Sequence, residues 1–321
     1  MLKAKHYMAC LFSDISNTPG TRLFSGQNVT CKQNRINHTD RIVVGFEYAS
    51  WLFSQPAVLL VHGLGGTTYD LGALGKTLED AGFVTHSPLL PGHGSLPADL
   101  LRTHWQDWVE AIRLSYRELK ARHGAVHLAG VCLGGLVALE VARLEKHDGR
   151  LALYAPPMFL DGWSLPRLTW ARHIVYRIPG LARRMRVPEN EPFGIKNPRL
   201  RKIIQQRFER GEGFHYAYVP LACIREVDRL RRHLRQRLAE ICCRTLIVHA
   251  DEDDITSPRS AHYLISRLGG LVEFMPLTDS YHMIIVDNER NQVLARSRSF
   301  FGSSCDPVIP DQSSPRIRVA A

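Results

Sequence analysis

Several signatures of familiar chemistries are missing from this 321-residue chain. It has no CxxC pair, no HExxH and no P-loop pattern, which removes the sequence grounds for a metal centre or for nucleotide hydrolysis. No apolar run approaches the ~20 residues needed to cross a bilayer; Ala57–Val61 stops at a His-Gly. The apolar patch behind Lys3 and Lys5 is shorter than the roughly 7–15 residues of a signal-peptide core. Acidic side chains are in deficit, with 31 Asp+Glu against 41 Lys+Arg, and the formal +10 raises the question of an anionic partner. The 7 cysteines are odd in number and unneeded as staples in so long a chain, so a reducing, cytoplasmic setting is expected. Compositional extremes are absent as well. At 45% hydrophobic and 22% charged, the chain is neither collagen-like, coiled-coil nor wholly disordered, and it suits one large α/β domain with an insertion or tails.

Residues 1–40 are rich in Ser, Thr, Asn and Gly, hold no period of 2 or 3.6, and read as a loose leader. A strand is expected at 42–46, then a buried strand at Ala57–Val61 feeding a glycine-rich turn. Helical spacing follows at 69–81, a strand at 83–87, a Pro- and Gly-containing loop at 88–94 and a helix at 105–122. Strands at 125–130 and 149–155 flank a helix at 133–142. Between 156 and 240 the rhythm breaks into arginine-rich, helix-like segments with no convincing strand. It resumes with a strand at 245–249, a helix near 260–268, a strand at 271–276 and a helix at 287–301, and 303–321 reads as a disordered tail. Apolar strands alternating with helices predict an α/β fold: a mostly parallel sheet flanked by helices, formed by 41–155 and 241–302 and interrupted by a basic helical cap at 156–240.

Gly130-Val131-Cys132-Leu133-Gly134-Gly135 sits where a strand turns straight into a helix. Glycines two residues before and after the apex permit so sharp a turn, and the apex side chain is thrust up at a helix N-terminus whose dipole favours a thiolate. The segment resembles the nucleophile elbow of the α/β-hydrolase superfamily, with Cys132 where most members carry serine. His62-Gly63-Leu64-Gly65-Gly66 resembles that family's oxyanion loop. The resemblance implies oxyanion-hole N–H groups on Leu64 and Leu133, with Gly63, Gly130 and Gly134 shaping loop and elbow. It also aligns Asp253 with the family's acid, Asp251 and Asp254 being neighbouring alternatives, and His282 of Asp279-Ser280-Tyr281-His282 with its general base. His62 and His93 belong to loops that face the pocket in relatives. The likeness runs over about residues 41–301 and leans toward the carboxylesterase and monoacylglycerol-lipase branch, through Pro91-Gly92-His93-Gly94, Trp105, Trp108 and the Asp-Ser-Tyr-His ending. That branch uses neither metal nor cofactor, and none is expected here.

Cysteine alters the chemistry. A thiol ionises near ~8.5, so beside His282 it can rest as a thiolate–imidazolium pair. A thiolate is also a good leaving group, which suits activated esters, lactones and thioesters. The resemblance therefore implies hydrolysis of a small acyl ester or thioester through an acyl-cysteine. Acyl transfer from a coenzyme A or carrier thioester, a lactone hydrolase of the dienelactone type and a non-catalytic binding protein stand as alternatives. The segment 156–240 contains 18 Lys+Arg and 8 Asp+Glu, so the whole surplus of charge lies there. An anionic substrate or an acidic membrane surface is the partner this suggests; the aromatic interleaving of a nucleic-acid binder is lacking. Trp163, Leu165, Trp170, Ile174, Tyr176 and Ile178 are expected to form a hydrophobic underside beneath a solvated basic top, with an acyl-pocket lining or a lipid contact as the other readings. Oligomeric state is not legible.

Overall fold

The computed structural model describes residues 55–166 and 168–302, together with the backbone of 317–319. The expected leader, the strand at 42–46 and most of the tail lie outside the described residues. In chain order the elements are β1 (Ala57–Val61), α1 (Leu74–Glu79), β2 (Val84–His86), α2 (Trp105–His123), β3 (Val126–Val131), α3 (Leu133–Leu144) and β4 (Leu151–Tyr154). An inserted stretch follows, with α4 (Arg172–Val175), α5 (Leu181–Arg184), β5 (Arg186–Pro188), α6 (Pro198–Glu209), β6 (Tyr218–Pro220) and α7 (Leu221–Arg235). The chain then returns through β7 (Thr245–Ala250), α8 (Arg259–Ile265), β8 (Val272–Leu277), α9 (Arg290–Gly302) and β9 (Ile317–Val319).

Seven strands form one sheet in the order β2-β1-β3-β4-β7-β8-β9, and every pairing in it is parallel. The inner strands β1 and β4 are apolar throughout, and β3 and β7 are buried along their length, because the sheet is covered on both sides. In β1 the alternation of the pleat is visible in the packing. Ala57, Leu59 and Val61 join a core with Trp108 and Ile112 of α2, Leu136 of α3 and Leu264 of α8. Val58 and Leu60 point the other way, to Leu74 and Leu78 of α1 and to Val293 and Phe300 of α9. Parallel pairing brings the strand ends into register, with Val61 opposite Gly130, Val131 opposite Tyr154 and Ala250 opposite Leu277. Loops leaving β1, β3, β7 and β8 therefore meet at one edge of the sheet, where ligands bind in open α/β sheets.

Two local expectations are corrected. The inserted stretch does hold strands: β5 and β6 pair antiparallel, with Val187 opposite Val219. Each is three residues long and ends in proline, too short and too punctuated to show as a strand pattern. Within the tail read as disordered, β9 adds to the edge of the sheet beside β8. The insertion is also tied to the core, since Val227, Leu230 and Leu234 of α7 pack into the same cluster as α2 and α3.

Two buried histidines, His127 on β3 and His147 just after α3, make the fold sensitive to acid. His127 Nδ1 accepts the Arg150 N–H at 3.0 Å, while His147 bridges the Tyr116 hydroxyl and the Arg150 carbonyl. Burial pushes both down to about 4 from the usual 6.5. The unfolded chain therefore takes up these protons first, and stability present above about pH 6.5 is lost as pH falls toward 4. Urea unfolding should show about 2 kcal/mol lost per histidine between about pH 7 and pH 5. His127→Asn, which keeps an acceptor for Arg150, should reduce the slope by about half; an unchanged slope would rule this origin out.

Candidate active site

The junction of β3 and α3 is built around contacts that tolerate no side chain. A Cβ on Gly134 would stand 2.1 Å from the Val61 carbonyl oxygen, and one on Gly130 would stand 2.3 Å from the Gly134 carbonyl. With glycine at both positions the elbow closes against the end of β1. Cys132 at its apex has φ 52° and ψ −120°, a conformation that costs a side-chain-bearing residue ~1–3 kcal/mol. It caps α3, so its side chain lies at the helix N-terminus. Leu133 opens the helix, and its N–H is one of the first-turn donors without an intrahelical partner.

The loop after β1 lies beside this apex. A Cβ on Gly63 would be 3.5 Å from the Cys132 Cβ, so Leu64 follows directly on a residue in contact with the elbow. Asp70 underpins the loop, accepting the Gly63 N–H at 3.2 Å, and leaves room for nothing but hydrogen at Gly66. His62 is buried and uses both ring nitrogens, Nδ1 toward the Gly63 carbonyl and Nε2 accepting the Leu90 N–H at 3.0 Å. Burial lowers its pKa, and that of nearby His93 to about 3. Burial thus favours the neutral imidazole at both positions. The Pro91 carbonyl accepts from the Trp108 indole at 3.2 Å, anchoring the His93 loop to α2.

His282 follows β8, and its Nδ1 donates to Asp253 at 2.8 Å to Oδ2 and 3.0 Å to Oδ1. Among the three candidate carboxylates only Asp253 meets the ring. Asp254 accepts the main-chain N–H of His282 at 3.3 Å, and Asp251 is exposed. Asp253 Oδ1 also accepts the N–H groups of Ile255 and Thr256, each at 2.9 Å. Burial alone would raise the Asp253 pKa, but the His282 charge and hydrogen bond outweigh it and hold the carboxyl below its usual range. Burial likewise pulls His282 down, and the charges of Asp253 and Cys132 more than offset it, so the imidazole is raised well above 6.5. Its Nε2 makes no hydrogen bond among the described residues. The thiol of Cys132 lies close enough to the imidazole to contribute to its raised pKa.

Other groups around this pair had no legible signal in the sequence. Asp287 is fully buried and accepts N–H groups of Lys196, Asn197, Tyr281 and Asn288 at 2.7–2.9 Å, tying the inserted stretch to the His282 loop. The Met283 N–H donates to the Gly194 carbonyl at 2.8 Å across the same seam. A cavity of about 200 Å³ opens beside Met283 and Asp70, walled by Phe193, Phe208 and Phe214 with Glu189 and His215 among them. Burial raises Asp70 above the usual carboxylate range, only partly opposed by the His215 charge. Arg207 also borders the cavity, but it is paired with Glu212 at 2.6 Å. Among the described residues no group of three or more His, Cys, Asp or Glu is placed to hold a metal ion, and no helix is long and apolar enough to cross a membrane.

Iodoacetamide at neutral pH should label Cys132 more slowly in His282→Ala than in the parent protein, because a neighbouring imidazole activates a thiol. Peptide mapping separates Cys132 from Cys223 and Cys243, which burial pushes up to about 12 and about 11. The same labelling profile in both proteins would show the two groups to be uncoupled.

Comparison with known proteins gives the chain's family and fold. The sequence profile of the alpha/beta hydrolase family matches residues 58–296. A thermostable monoacylglycerol lipase of a Bacillus species is 27% identical over 245 residues, covering 76% of this chain and 89% of the lipase. A carboxylesterase of Bacillus subtilis is 25% identical over 241 residues, covering 74% and 88%. In fold, the chain is similar to a structure reported with the metagenome-derived lipolytic enzymes LipS and LipT, at TM-score 0.65 and 22% identity over 77% of this chain and 94% of that one. It is also similar to the monoacylglycerol lipase of Paleococcus ferrophilus, at TM-score 0.62 and 22% identity over 77% and 97%.

Proposed function

This chain belongs to the alpha/beta hydrolase family, and from that premise we propose that it cleaves neutral carboxylic esters through an acyl-enzyme formed on Cys132. The observation that carries the reading is the Asp253–His282 pair, whose free Nε2 neighbours the Cys132 thiol at the strained elbow. Cys132 attacks the acyl carbonyl, and the N–H groups of Leu64 and Leu133 receive the oxyanion, aided by the N-terminus of α3. His282 Nε2–H then protonates the departing alkoxide oxygen. That step matters more here than with serine, because an unprotonated alkoxide is a poorer leaving group than the thiolate and the intermediate would revert. In the second half-reaction Nε2 takes a proton from water, the hydroxide attacks the thioester, and the Cys132 thiolate leaves. Asp253 holds the ring in the required tautomer throughout.

Residues 156–240 serve as a cap, supplying Phe193, Phe208, Phe214 and Glu189 to the cavity. The names of the lipase and carboxylesterase relatives accord with an acyl ester as substrate. The cavity's electrostatics favour an uncharged one: two carboxylates border it, and Arg207 is already paired, so the phosphates of a coenzyme A thioester would meet no free cation there.

Intact mass spectrometry during turnover of short-chain esters, lactones and acyl thioesters tests the mechanism. An acyl adduct on Cys132 that water releases is expected, with esters preferred over anionic thioesters. Cys132→Ala should lower kcat by about 10⁴-fold or more with little change in KM, and Cys132→Ser should retain ester hydrolysis. Release only on adding an amine, alcohol or thiol would identify acyl transfer instead, and no adduct or turnover across the panel would eliminate both.

A further inference from the structure

Between Gly162 and Glu189 the chain carries six arginines and no acidic residue. The middle of this stretch is helical: the single turn Thr169–Ala171 runs into α4, and further turns follow as Arg177 and Ile178 N–H groups donate to the carbonyls of Ile174 and Val175. One side of it is pinned to the protein. Arg172 Nε and the Tyr176 hydroxyl each donate to Asp228 Oδ2 on α7 at 2.9 Å, and Arg231 approaches Asp228 Oδ1 at 3.1 Å. Positions 172 and 176 are one turn apart. Positions 170, 174 and 178 share that spacing but are offset by two residues, about 200° around a helix. They occupy the opposite side, and it faces solvent: Trp170 is 59% exposed, Ile174 54% and Ile178 48%, with Leu168 at 66%. Trp163 and Met185 are exposed as well.

This reverses the sequence expectation of a hydrophobic underside, because the side turned inward is the polar one. Leaving six large apolar side chains in water forgoes their burial and marks a contact surface. Arg177, Arg183, Arg184 and Arg186 lie exposed in the same stretch, and no carboxylate within it offsets them. Tryptophan and aliphatic side chains interspersed with arginine match the interface of a bilayer, where apolar groups enter the acyl boundary and guanidinium groups meet lipid phosphates.

We propose that residues 163–186 form a docking surface for an anionic lipid bilayer. Trp170, Ile174 and Ile178 insert, and the arginines select negatively charged headgroups. The inference goes beyond the acyl-enzyme reading and requires no chemistry at Cys132, so either can fail alone.

The test is cosedimentation of the full chain with vesicles of phosphatidylcholine alone or with about one third phosphatidylglycerol. Binding is expected to the anionic vesicles, to weaken as salt screens the headgroups, and to shift tryptophan emission to the blue. The double substitution Arg183→Gln with Arg184→Gln should lower partitioning about fivefold per arginine. Trp170→Ser with Ile174→Ser should lower it about tenfold or more, while hydrolysis of a soluble short-chain ester stays at the wild-type rate in both variants. Equal binding to charged and uncharged vesicles, or none to either, overturns the proposal. So does a concentration-dependent dimer without vesicle binding, which would assign the patch to a second copy of the chain. Loss of soluble-ester activity in both variants would give the residues a structural role instead.

Discussion

The backbone contact between the start of α3 and the end of β1 sets the position of the groups proposed to react. Gly134 faces the Val61 carbonyl and Gly130 faces Gly134 so closely that a methyl group at either would force the elbow away from the sheet. Because the elbow is held, Cys132 keeps its strained conformation and Gly63 rests against its Cβ. The parallel register then delivers the Asp253 and His282 loops to the same edge. Strain at the apex persists because the sheet, the helix and the neighbouring loop together over-determine it.

Electrostatics divides the molecule into districts of opposite character. At the site, burial opposes every charge, and the pairing of Asp253 with His282 lowers the pKa of the one and raises that of the other. In the adjoining cavity Asp70 lacks such full compensation and is raised. The positive surplus of the inserted stretch contributes only the neutralised Arg207 to the cavity wall. Much of it is spent on the outside, near exposed tryptophan and isoleucine. On the proposed readings, a net charge first met as a hint of an anionic partner separates into a cavity for a neutral ester and an outer surface for anionic lipid.

The core was legible because its signals are local. Ala57–Val61 is a strand to the residue, and helix α2 starts at the Trp105 that the spacing marked. The elbow was legible for the same reason, since six consecutive residues encode a turn whose steric demands are their own. The insertion was not. Its strands β5 and β6 pair across about thirty residues through three positions each, and α4 is tied to α7 by a pair as distant in sequence as Arg172–Asp228. Apolar residues at helical intervals show that a helix has two sides, but not which one the protein covers.

Within the site the same division holds. Residue type and order along the chain, a cysteine between glycines, then a cluster of acids, then a histidine, come from the sequence by itself, because each follows a strand in a recognisable local setting. Which acid meets the imidazole was decided by the tertiary structure alone: Asp251, Asp253 and Asp254 differ by one or two positions in sequence, yet one is exposed, one binds the ring and one binds the main chain. Glu189, His215 and Asp287 likewise gained their places only on folding. Hydrogen bonds and burial depend on direction and on neighbours far away in the chain, and a linear pattern carries neither.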